Sequence, residues 1–226
     1  MAKRSIKKLL VFSVPAVLVT VGITSSIITH NNAKADEISP VEKGLYNLEQ
    51  AIQTIDSAKT DEPVLVVNNE VITKEDVNFY KENVDFIQEA NEQPTLSEKE
   101  ITEDLITNTS LVTEAEAQDL SVSLEEAKAF AEQTRKSLED LNTPEAKESK
   151  ELLTQYIKSL GISEEEYWNE VAPKAYQESL SIGALKQQKF EEEQEKNENI
   201  SQDQFEQVWS EYTEDVVKDS DVEIVK

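Results

Sequence analysis

The stretch Pro63-Val64-Leu65-Val66-Val67-Asn68-Asn69-Glu70-Val71-Ile72-Thr73-Lys74-Glu75-Asp76 decides the fold, because it carries a strand, a turn, a second strand and a helix start in succession. β-Branched and apolar residues flank Asn68-Asn69 on both sides, and asparagine tolerates the positive φ that a tight hairpin turn requires. Thr73-x-x-Asp76 then has the form of a capping box, in which a hydroxyl accepts from an orphan N–H and the acid reaches back to the cap. A lone hairpin is marginal in water. The other end of the chain offers a third strand, the short alternating segment Val222-Glu223-Ile224-Val225. Pairing it with the hairpin would bring the two ends of the core together.

Between these strands the chain spells out helices. Ser97-x-x-Glu100, Ser123-x-x-Glu126, Ser163-x-x-Glu166 and Ser201-x-x-Gln204 repeat the capping pattern, and Thr143-Pro144 supplies a cap with proline at the first helical position. Apolar residues follow each start at spacings of three and four: Ile101, Leu105, Val112 and Ala115; Leu124, Ala127, Phe130 and Ala131; Leu152, Leu153, Tyr156, Ile157 and Leu160. A further helix is expected over Val41 to Ala58. The fold class is therefore mainly α, with six to seven amphipathic helices and a small β-sheet formed by an N-terminal hairpin and the C-terminal strand.

The N-terminus reads as a secretory signal. Lys3, Arg4, Lys7 and Lys8 precede an apolar run from Leu9 to Ile28, and Ala33-Lys34-Ala35 before Asp36 is the small-residue pattern of a cleavage site. The alternative is an uncleaved membrane anchor, since about twenty residues can span a bilayer. The expected organisation is a signal peptide over 1–35, an N-terminal helical segment or linker over 36–61, and a helical domain over 62–226. The protein is then exported, either secreted or associated with the cell envelope, and touches membrane only through the signal segment before cleavage.

Removing the signal changes the chemistry more than the size. Five of the 22 basic residues lie in 1–35, which leaves 17 against 47 acidic ones and a net charge of −30. Such a surface repels nucleic acid and anionic lipid. His30, the only histidine, leaves with the signal, and the chain has no cysteine. That removes the usual general base, the thiolate nucleophile, the His and Cys metal ligands and any disulfide framework. Gly44, Gly161 and Gly183 are the glycines that remain, and no phosphate loop or dinucleotide fingerprint occurs. Asp219-Ser220-Asp221-Val222-Glu223 alternates carboxylates without the glycine at the sixth position and glutamate at the twelfth that wrap an EF-hand ion. No metal and no cofactor is expected.

Four segments carry a resemblance. Val67-Asn68-Asn69-Glu70-Val71-Ile72-Thr73 resembles the V-N-G-x-x-I-T opening of the SurA-type N-terminal chaperone domain, shared with extracytoplasmic foldases of the PrsA kind. Leu105-Ile106 with Leu111-Val112-x-Glu114-Ala115 is similar to the family's L-I-x-x-x-L-L-x-x-E-A. Leu120-Ser121-Val122-Ser123-x-Glu125-Glu126 follows its G-I-x-V-S-x-E-E, and Leu160-Gly161-Ile162-Ser163-Glu164-Glu165-Glu166-Tyr167 its L-G-x-S-E-E-E-[LY] segment. Asn69 and Asp119 stand where the family has glycine; both can enter the left-handed region. Pro173 should kink or divide its helix near Asn169. Family members often carry an inserted parvulin domain, a prolyl isomerase, and Glu193 to Ser201 leaves no room for one. The resemblance therefore implies chaperone-type peptide binding without isomerase catalysis.

The helix from Ser163 to Glu193 carries a broad apolar band that includes Tyr167, Trp168, Val171, Tyr176, Leu180 and Leu185. A groove for unfolded or extended polypeptide clients would look like this, and so would a buried helix. The candidate client-binding residues are Tyr167, Trp168, Val171, Tyr176, Leu180 and Trp209. The expected function is that of an exported, non-catalytic, chaperone-like protein. The alternative is a cell-surface structural or interaction protein that docks one folded partner, and an enzyme would need a site built from carboxylates alone. Mass spectrometry of the protein from its native host should find Asp36 as the first residue; an intact Met1 to Ala35 on a membrane-bound form would reject cleavage.

Overall fold

The computed structural model describes residues 39–58 and 61–225; the signal segment, with Ala33, Ala35 and Asp36, lies outside them. Seven helices and a three-stranded sheet follow in the order α1 (Pro40–Ala58), β1 (Pro63–Val67), β2 (Glu70–Thr73), α2 (Lys74–Ala90), α3 (Glu98–Ala117), α4 (Leu124–Asp140), α5 (Pro144–Ser159), α6 (Ala172–Lys196), α7 (Gln202–Asp219) and β3 (Val222–Ile224). A single α turn, Glu164–Glu166, and a π turn, Tyr167–Val171, lead into α6.

Local chemistry sets the helix starts. Reciprocal capping boxes close α2 at Thr73, α3 at Ser97, α4 at Ser123 and α7 at Ser201, while Thr143 and Ser163 accept from Ala146 N–H and Glu166 N–H. Each such cap contributes about 1 kcal/mol. A further box, not foreseen in the sequence, opens α1: Ser39 N–H donates to Glu42 Oε2 at 3.1 Å and Glu42 N–H to Ser39 Oγ at 3.2 Å. The proline at 173 has the consequence expected of it. Lacking an N–H, it cannot continue the α-helical ladder, and Ala172 N–H instead bonds Tyr167 carbonyl five residues back, which gives the π turn around Asn169.

The sheet is antiparallel in the order β2-β1-β3. Asn68 at φ 51° and Asn69 at φ 75° form the turn between β1 and β2, both in the left-handed region that a type I′ hairpin demands. β3 pairs with β1 in the register Leu65 opposite Ile224, Val66 opposite Glu223 and Val67 opposite Val222, so the ends of the core meet as expected. Asn68 fixes that meeting. Its Nδ2 donates to Thr113 Oγ1 of α3 at 2.8 Å and to Ser220 Oγ at 3.1 Å, and its Oδ1 accepts from Asp221 N–H at 2.9 Å. Its own N–H reaches Asp221 carbonyl at 2.9 Å. Asp119 at φ 58°, where the resembled family has glycine, ends α3 in the left-handed conformation.

Three apolar clusters sit between these elements. The largest gathers Leu48 and Ile52 of α1, Phe86 of α2, Ala127 and Ala131 of α4, Tyr156 of α5, the π turn and the first turns of α6. A second lies under the sheet, where Leu65, Val67 and Ile72 meet Tyr80 and Val84 of α2 and Ile101 and Leu105 of α3. The third joins Leu111 and Ala115 of α3 to Leu185 of α6 and to α7. α2 and α3 thus each serve two clusters, from opposite ends or faces. The helical segment before the hairpin packs on the rest: Leu45, Leu48, Ile52 and Ile55 of α1 are buried in the main cluster. Gly44 lets α1 approach closely, since a Cβ there would stand 3.0 Å from the Phe86 ring.

Asn68→Ala should lose three side-chain hydrogen bonds and force alanine into the left-handed region, costing about 2–4 kcal/mol, or about 5–15 °C in Tm for a chain of this size. Asn69 is exposed and holds only its turn conformation, so Asn69→Gly should change stability by less than about 0.5 kcal/mol. Thermal unfolding of both variants checks the contrast; equal losses would deny Asn68 its special place.

Candidate functional site

The structure places most of the aromatic band inside. Tyr167, Trp168, Val171 and Tyr176 are buried in the main cluster, with Trp168 the most exposed of them at 6%. Their rings pack as a chain: Phe86 stacks on Tyr156 at 5.8 Å, Tyr156 meets Tyr167 edge-on at 6.3 Å, and Tyr167 meets Trp168 at 5.2 Å. Phe130 of α4 stands edge-on to Tyr176 at 4.9 Å. Tyr156 donates from its hydroxyl to Asn83 Oδ1 at 2.5 Å, and Asn83 Nδ2 donates to Phe79 carbonyl at 2.7 Å, so this polar pair is satisfied within the core. Burial pushes the Tyr156 and Tyr167 hydroxyls well above the usual tyrosine range, with a neighbouring tyrosine adding to the effect in each case. These side chains do not meet solvent, and a client would have to displace them from one another to reach them.

Leu180 and Trp209 stand apart from the other four. Both are half-buried, Leu180 against the main cluster and Trp209 against the cluster of Leu111, Ala115 and Leu185. Lys186 Nζ lies 5.6 Å from the Trp209 ring centroid and pairs with Glu206 at 2.9 Å, which covers part of the indole with a held cation. The band is broad because this helix runs through the middle of the bundle: its π turn and α6 touch α3, α4 and α7. A helix packed on several sides needs apolar residues around most of its circumference.

Two further surfaces stand out among the described residues. The first is a groove of about 620 Å³ along α1 and α2, with Gly44 and Asn47 on one wall and Glu82, Asp85, Glu89 and Glu92 on the other. Its carboxylates are partly matched from within: Glu89 pairs with Lys43 and accepts from Asn47 Nδ2 at 2.9 Å, and Asp85 pairs with Lys81 at 2.5 Å. Among the described residues there is no group of three or more His, Cys, Asp or Glu side chains that could hold a metal ion, and no helix is long and apolar enough to cross a membrane.

The second is the β3 edge of the sheet. Val222 and Ile224 lie opposite Val67 and Leu65, and residues paired across strands point to the same face. Yet Val67 and Leu65 are buried at 0% and 2%, whereas Val222 is 37% and Ile224 67% exposed. The core-facing side of β3 therefore projects past the helices that cover its neighbour. Asp221 and Glu223 occupy the alternate positions, both exposed. The bonds from Asn68 N–H to Asp221 carbonyl and from Val225 N–H to Val64 carbonyl assign residues 221, 223 and 225 to the ladder with β1. By the antiparallel alternation, the N–H and C=O groups of Val222 and Ile224 point outward. The sequence marks this strand by its alternation, but not that its apolar side would stand exposed among the described residues. The helical groove had no signal beyond the acidic character of α2.

No family model, curated protein or solved structure matches the chain.

Trp168→Ser and Tyr176→Ser should each cost about 3–5 kcal/mol, as expected for truncating a buried large aromatic, a large share of the stability of one domain. Leu180→Ser and Trp209→Ser should cost less than about half of that, because part of each side chain is already in water. Melting temperature and suppression of client aggregation, measured on the same four variants, separate the roles. A Tyr176→Ser protein that melts like the parent yet fails to suppress aggregation would return the band to client binding.

Proposed function

We propose that the chain is an exported, non-catalytic, chaperone-like protein that holds unfolded or newly translocated polypeptides in an extended form. The observation that carries this reading is the uncovered edge of β3, where apolar side chains and outward backbone groups stand together. An exposed edge strand is a template for pairing with another chain, and adding a strand to it is a recurrent mode of peptide capture in which backbone bonds supply affinity without regard to sequence. The order of motifs resembling the SurA-type N-terminal domain supports the same reading. A net charge of −30 after removal of residues 1–35 would keep a loaded complex soluble and draw basic clients from a distance.

Catalysis of prolyl isomerisation forms no part of the proposal. Between Lys196, the end of α6, and Gln202, the start of α7, only residues 197–201 intervene, where a parvulin insert would need a whole domain. Lowering a rotation barrier of about 20 kcal/mol takes a shaped substrate cleft.

The test is a panel of chemically unfolded proteins offered to the purified chain. Binding at micromolar strength to many of them, suppression of their aggregation and no acceleration in a protease-coupled isomerisation assay are expected. Indifference to every unfolded protein, with retention of one folded partner in a pull-down, would replace this reading with that of a docking protein of the cell surface.

A further inference from the structure

Resting on the reading of β3 as the client-binding edge, we infer that this edge selects extended segments in which apolar residues alternate with lysine or arginine. Period-two geometry gives the edge two chemically different sides: Val222 and Ile224 on one, Asp221 and Glu223, followed by the half-buried Val225, on the other. A strand added alongside places its own side chains opposite these in the same alternation. The side chains beside Val222 and Ile224 must be apolar, since they complete the uncovered end of the cluster beneath Leu65 and Val67. Those beside Asp221 and Glu223 face two exposed carboxylates, with Lys218 and Asp219 exposed just before them in the chain, so opposite charge favours a base there.

Charge also decides against a second copy of this chain as the occupant. Self-pairing of β3 would bring Asp221 and Glu223 of one copy against the carboxylates of another, and like charges directly opposite destabilise a strand pair. An acidic or purely apolar segment lacks the complement on one side. A basic segment without alternation lacks it on the other.

Labelled peptides and the full chain test this by fluorescence anisotropy. The probes are a peptide of alternating valine and lysine, one of the same composition with valines and lysines in separate blocks, and one of alternating valine and glutamate. The first should bind and the others should not. Glu223→Lys should weaken the lysine peptide by about tenfold and admit the glutamate peptide. Ile224→Pro should abolish binding while leaving the fold intact, because the N–H it removes points outward and proline is tolerated at that side of an edge strand; circular dichroism and Tm confirm the fold. Binding of the block peptide as tightly as the alternating one, or a Glu223→Lys chain that keeps the original preference, overturns the inference and leaves general attraction to an acidic protein. If Ile224→Pro converts a dimer seen by sedimentation into monomer, a second copy occupies the edge and the inference also fails. Absence of peptide binding in a chain that still suppresses aggregation moves the client elsewhere and sinks the inference alone; loss of aggregation suppression in the parent chain sinks the holding function itself.

Discussion

Asn68 holds parts of the chain that lie 45 and 153 residues further along it. Its amide is fully used, with both Nδ2 protons donated and Oδ1 accepting, while its backbone supplies the left-handed φ of the hairpin turn. Few side chains could do both. Glycine would make the turn and leave Thr113, Ser220 and Asp221 without their partner; aspartate would lose the two donors. Without this junction β3 has only the backbone ladder to β1, and three residues of ladder are too few to hold a strand against fraying. The position of the open edge, and with it the proposed function, follows from this one residue.

Around that junction the bundle is organised by helices that face two ways. α2 presents Tyr80 and Val84 to the sheet and Phe86 to α1, and α3 presents Ile101 and Leu105 to the sheet and Leu111 and Ala115 to α6 and α7. The three apolar clusters are coupled through these shared elements rather than merged into one. The link before α4 is held in the same economical way: Val122 N–H donates to Ser181 Oγ at 2.9 Å and Val122 carbonyl accepts from Gln177 Nε2 at 3.1 Å. A backbone segment without secondary structure thereby has its buried polar groups satisfied by α6.

Much of this was legible in the sequence because it is local. The hairpin, the boxes at Thr73, Ser97, Ser123 and Ser201, the caps at Thr143 and Ser163, and the disturbance ahead of Pro173 each depend on residues within a few positions of one another. The closing strand was legible for a different reason: a hairpin that cannot stand alone requires a partner. What stayed hidden depends on three-dimensional packing. The width of the band around Tyr167 and Tyr176 is compatible with a groove or a central helix, and only the number of neighbours distinguishes them. The place of α1 in the core is likewise set by Phe86 and Tyr156, distant in sequence. Ser39-Pro40-Val41-Glu42 has the capping pattern, yet the helix was expected to begin at Val41. The exposure of Val222 and Ile224 depends on where α2 and α3 end, which no local spacing encodes.

β3 is bound to β1 on one side and, among the described residues, open on the other. Amide hydrogen exchange, resolved by residue, tests it directly. Ladder bonds should protect the amides of Glu223 and Val225 to an extent close to that of the Asn68 amide, while the amides of Val222 and Ile224 exchange like exposed backbone. Equal strong protection along all four residues would mean that the outer edge is already covered, which contradicts the proposal that β3 captures extended polypeptides.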